Sequence, residues 1–69
     1  MTTMIAAAPI EGDFLRLREE FVSMPGLRLN VLQVARLLSV DRECAAYLLE
    51  RLEAEGLLMR TGSGVYRHS

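Results

Sequence analysis

Lysine is absent from this sequence: all eight of its basic residues are arginines, and nine carboxylates outnumber them. With a formal net charge of −1, the chain lacks the broad positive field by which strongly basic proteins gather nucleic acid. Any such role must rest on where individual arginines lie. Cys44 is the only cysteine, which excludes an intramolecular disulfide and a cysteine-built zinc site. A lone thiol fits a reducing compartment. No apolar run approaches the ~20 residues needed to cross a bilayer. The run Met4 to Ala8 is too short for a secretory signal, and no basic residue precedes Glu11. These absences point to a cytoplasmic protein with no membrane partner. Chemistry is also missing. His68, the sole histidine, sits near the terminus. The carboxylate pairs Glu19-Glu20 and Glu50-Glu53 fall on expected solvent faces. No nucleophile, base and orienting group can be assembled, and so short a chain leaves little room for a substrate pocket of ~300 Å³. The sequence therefore reads as a non-enzyme without cofactor or metal.

Hydrophobic residues make up 51% of the 69 positions, a large share for a domain that buries only about 60% of its unfolded surface. A filled core with some apolar surface left for a partner is expected. Residues 1–10 read as a flexible N-terminal arm, and 11–69 as one domain. In the first helix, over 11–24, Phe14, Leu17 and Phe21 recur at helical spacing. Pro25 and Gly26 stop it. Leu27-Arg28-Leu29 alternates like a stub of strand. Asn30, with Gln33 three residues on, has the pattern of a capping box. It opens a second helix to about Leu38, with Val31, Val34, Ala35 and Leu38 inward. Ser39-Val40 is a turn, Asp41 an N-cap, and 41–55 a third helix closed by Gly56. Two short strand-like runs, Leu57–Thr61 and Val65–His68, flank Gly62-Ser63-Gly64 and read as a hairpin. So short a link between the second and third helices forces them to cross steeply.

The segment Val34-Ala35-Arg36-Leu37-Leu38-Ser39-Val40-Asp41, followed by Leu49, Leu52, Glu53 and Gly56-Leu57-Leu58-Met59-Arg60, resembles the winged helix-turn-helix of bacterial transcription regulators. The resemblance covers roughly residues 12–68. It implies a mainly α fold with a small β-hairpin, three helices plus a wing. It further implies a third helix that enters the major groove and a wing that touches the DNA backbone. Where many such families carry a Thr-Val-Ser-Arg-like segment, this chain has Cys44-Ala45-Ala46-Tyr47.

Helical geometry turns Ala45, Leu48, Leu49 and Leu52 inward and leaves Glu43, Tyr47, Glu50 and Ala54 outward. Residues 41–55 hold two arginines against five carboxylates, an unfavourable balance for a surface facing phosphates. Arg28 and Arg36 make the preceding stretch positive, and Arg60 and Arg67 do the same for the wing. The expected function is a small stand-alone DNA-binding protein, a transcription regulator acting as a homodimer on double-stranded DNA, with the first helix and the arm as dimer surfaces. Arg42, Ala46, Tyr47 and Glu50 would lie nearest the bases. Arg36, Arg60 and Arg67 would hold phosphates, and Ser63 would approach the backbone from the wing tip. The alternative is a winged helix used for protein contact through the Tyr47 face.

Overall fold

The computed structural model of the chain describes residues 8–69. Three helices, α1 (Ala8–Ser23), α2 (Val31–Leu38) and α3 (Arg42–Ala54), alternate with three short strands, β1 (Arg28–Leu29), β2 (Leu58–Arg60) and β3 (Tyr66–His68). This is a mainly helical fold with a small antiparallel sheet, compatible with the winged helix-turn-helix arrangement. None of the described helices is long and apolar enough to cross a membrane.

The helix boundaries follow their local chemistry. At the start of α2, the Asn30 side chain accepts from the Gln33 backbone N–H at 2.8 Å, while the Gln33 side chain accepts from the Asn30 backbone N–H at 2.8 Å. Two N–H groups that the helix itself cannot satisfy are thereby paired. Ser39 closes α2 in the left-handed conformation, with φ 57°. The Asp41 carboxylate caps α3 by accepting from the Cys44 N–H at 2.7 Å. At the far end of α3, Gly56 takes φ 87°. Its N–H bonds to the Glu53 carbonyl, and the Leu57 N–H bonds to the Leu52 carbonyl, so two terminal carbonyls gain partners in a Schellman turn.

The first helix begins at Ala8, three residues before the expected start, so 8–10 belong to a helix and not to an arm. Pro9 suits that place: its missing N–H would be unpaired in a first turn anyway. The rest of the expected arm, residues 1–7, lies outside the described residues.

The hairpin is also larger than its sequence signal. The sheet order is β1-β3-β2, with Leu29 opposite Tyr66 and Arg28 opposite Arg67 across β1 and β3. The strand stub thus joins the wing as a third strand. Five residues, Thr61–Val65, join β2 to β3, and the Thr61 N–H donates to the Val65 carbonyl at 2.8 Å across the turn. Gly64 takes φ 82° there, the left-handed position such loops require. The last residue is tied back as well: the Ser69 N–H and hydroxyl donate to the Leu57 carbonyl, and the hydroxyl also reaches the Gly56 carbonyl.

The core lies where the helices meet the inner face of the sheet. Phe14, Leu17 and Phe21 come from α1, Val34, Ala35 and Leu38 from α2, Ala45, Leu48, Leu49 and Leu52 from α3, and Leu58 and Tyr66 from the sheet. No polar or charged side chain is buried among the described residues. The side-chain packing of the core is therefore essentially apolar, and a domain of this size holds only about 3–10 kcal/mol in all. Leu49→Ala is expected to remove about 2–5 kcal/mol. Urea unfolding followed by far-UV circular dichroism should show the midpoint collapsing, and an unmoved midpoint would contradict the packing described. Asp41→Ala, which deletes only a cap, should cost about 1 kcal/mol in the same assay.

Candidate functional site

The helix-turn-helix pair and the sheet leave one strip of α3 facing solvent. Because Ala45, Leu48, Leu49 and Leu52 are turned fully inward, Glu43, Tyr47 and Glu50 must point out, and all three are exposed. Tyr47 keeps 52% of its surface in solvent. Ala46 lies beside it, half-buried, and Arg42 is exposed at the helix start.

The two flanks of this strip are anchored. Glu53 accepts from Arg60 of β2 at 3.4 Å, which ties the sheet-side flank to the wing. On the other flank, the Arg51 guanidinium lies 3.9 Å above the Phe14 ring and 4.0 Å from a Glu11 oxygen, so it belongs to the contact with α1. Of the two arginines on α3, only Arg42 remains beside the strip. On the strip itself, Arg42 faces two exposed carboxylates, Glu43 and Glu50, so it stays acidic.

The structure separates Arg60 from Arg67, which the sequence grouped as wing phosphate contacts. Arg60 stands opposite the buried Tyr66 across the β2–β3 ladder, whereas Arg67 stands opposite Met59. Since side chains alternate across a strand, the two arginines leave opposite faces of the sheet. Arg60 also sits 5.2 Å from the Tyr66 ring centre, with Glu53 as ion partner. Arg67 is exposed on the outer face, its Nη1 donating towards the Met59 sulfur at 3.6 Å. Ser63 is exposed at the wing tip, its hydroxyl 3.4 Å from that of Thr61. Arg36 is exposed on α2.

Sequence reasoning passed over Arg28 as a site residue. Its alternation with Leu27 and Leu29 marks it as outward-facing, but the strand pairing that sets it opposite Arg67 carries no local signal. A wider pattern accompanies it. All nine carboxylates lie within 11–20 and 41–55; residues 21–40 and 56–69 contain none. The α2 helix and all three strands therefore carry only positive charge, from Arg28, Arg36, Arg60 and Arg67, while every carboxylate lies on α1, on α3 or at the two caps of α3, Asp41 and Glu55.

Cys44, in the first turn of α3, is half-buried. Burial pushes its thiol pKa up, and the charges of Asp41 and Asp13 push it further the same way. The thiolate is the reactive form, so this cysteine is held in its inert state. Among the described residues there is no cavity and no group of three or more metal-ligating side chains.

The chain matches no family model, no curated protein and no solved structure. Iodoacetamide should modify Cys44 more slowly in the folded protein than in the urea-unfolded chain at pH 8, and the gap should narrow as pH rises. Equal rates at pH 8, followed by mass spectrometry, would contradict the burial and charge placed around the thiol.

Proposed function

We propose that this protein binds double-stranded DNA as a small winged helix-turn-helix regulator. The observation that carries the reading is the segregation of charge: α2 and the sheet hold arginines and no carboxylate, and α3 is presented between them. In this account α3 approaches the major groove with Arg42, Ala46, Tyr47 and Glu50 nearest the bases. A glutamate there can accept from cytosine N4. Arg36 and Arg67 hold phosphates, and Ser63 approaches the backbone from the wing tip. Arg60 serves the fold first, because Glu53 already engages it. Two copies acting together would multiply the affinity of a module this small. The exposed Leu15 and Val22, one stripe of α1 at i and i+7, support α1 as the contact between them.

A second reading has its own observation. The α3 strip sets a half-exposed Tyr47 between Glu43 and Glu50. Tyrosine is enriched at protein interface hot spots, and carboxylates repel phosphates. In that reading α3 meets a protein partner.

Fluorescence anisotropy of a labelled random duplex, at low and near-physiological salt, separates the two. DNA binding predicts affinity that falls steeply with salt. Absence of binding at low salt, where non-specific contacts are tighter than the ~10⁻⁴–10⁻⁶ M typical of physiological salt, would leave protein contact as the better account. Within the DNA reading, Arg67→Ala should flatten the salt slope by ~0.9, and Arg60→Ala should change it less. Glu50→Gln should tighten non-specific binding, since it removes a repulsive charge; weaker binding by that variant to a random duplex would count against α3 facing the backbone.

A further inference from the structure

We propose that Arg28 and Arg67 together grip the sugar-phosphate backbone of a DNA duplex on the outer face of the sheet, a contact separate from α3 and the wing tip. The inference rests on the DNA-binding reading and adds a surface to it. Arg28 and Arg67 are direct partners across the β1–β3 ladder, and both are exposed. Residues so placed have Cβ atoms about 4.5–5.5 Å apart, and like charges directly opposite destabilise a sheet. A sheet normally answers one charge with its opposite. Here no strand supplies a carboxylate, and neither arginine forms an ion pair among the described residues.

The Arg67 guanidinium leans towards Met59 on β2, the strand on the far side of β3 from β1, and so away from Arg28. Arginine forks bond phosphate oxygens bidentately. Charge complementarity selects the occupant. A patch of two cations with no counter-charge suits a polyanion, and duplex DNA places a phosphate charge every ~1.7 Å of its axis. A further exposed arginine, Arg36, lies on α2, the helix that in helix-turn-helix proteins crosses the backbone.

The test is the salt dependence of duplex binding by the full chain and its Arg28→Gln and Arg28→Lys variants, each checked for native circular dichroism. Arg28→Gln is expected to flatten the log–log salt slope by ~0.9, matching Arg67→Gln, and Arg28→Lys to retain most of it. An unchanged slope in Arg28→Gln, with duplex binding intact, overturns this inference and leaves the DNA-binding reading standing. Absence of duplex binding by the unaltered protein overturns both. Static light scattering at low salt covers the other acidic occupant, the α3 strip of a second copy. Self-association that Arg28→Gln abolishes, without any change in duplex binding, would assign the patch to that contact and overturn the proposal.

Discussion

The inward packing of Ala45, Leu48, Leu49 and Leu52 fixes the orientation of α3, and the rest of the molecular surface follows from it. None of the four retains any exposure. They meet Phe14, Leu17 and Phe21 of α1, the apolar side of α2, and Leu58 and Tyr66 of the sheet. Rotating α3 by one position would expose leucines and bury glutamates, at a cost of several kilocalories per buried charge. The outward strip of Glu43, Tyr47 and Glu50 is thus set by the core. So are the flanks, where Glu53 meets Arg60 and Arg51 covers Phe14. The residues offered to a partner are those the core does not need.

That constraint gives a small acidic protein a cationic surface. Charges separated by more than the ~8 Å screening length at physiological ionic strength act largely independently. The net charge of −1 therefore says little about what any one face attracts. The sheet and α2 present arginines alone, and α3 presents mostly carboxylates beside them. In a groove, such an edge would draw in the backbone through the sheet and α2 while the α3 carboxylates restrict how closely, and against which bases, the helix can settle. The absence of lysine fits the same picture. Three arginines serve packing as well as charge: Arg51 over Phe14, Arg60 beside Tyr66, and Arg67 along Met59.

Much of the fold was legible in the sequence because its signals are local. Asn30 and Gln33 form the capping box their spacing predicts, Asp41 caps α3, and Gly56 takes the left-handed turn after it. The leucines of α3 announce their burial by spacing alone. The misses are non-local. The stub at Arg28–Leu29 has no sequence mark of its partner, so its place beside β3, and with it the opposition of Arg28 and Arg67, required the assembled sheet. The division of Arg60 from Arg67 depends on hairpin register, which a Gly-rich turn of uncertain length does not fix. The pairing of Glu53 with Arg60 joins positions seven apart across a helix end, beyond any helical spacing rule. The start of α1 at Ala8 was hidden because an uncharged apolar stretch shows no period.

The central claim is that partner binding uses the cationic sheet and α2 together with the start of α3. Residue-resolved amide chemical shifts, followed by NMR as a short duplex is titrated into the protein, test it most directly. The account predicts shifts concentrated at Arg28, Arg36, Arg42, Tyr47, Ser63 and Arg67, with the exposed side of α1 around Leu15 and Val22 unmoved by the DNA itself. A duplex that leaves the sheet and α2 unperturbed while shifting α1, or that shifts nothing at low salt, would contradict it.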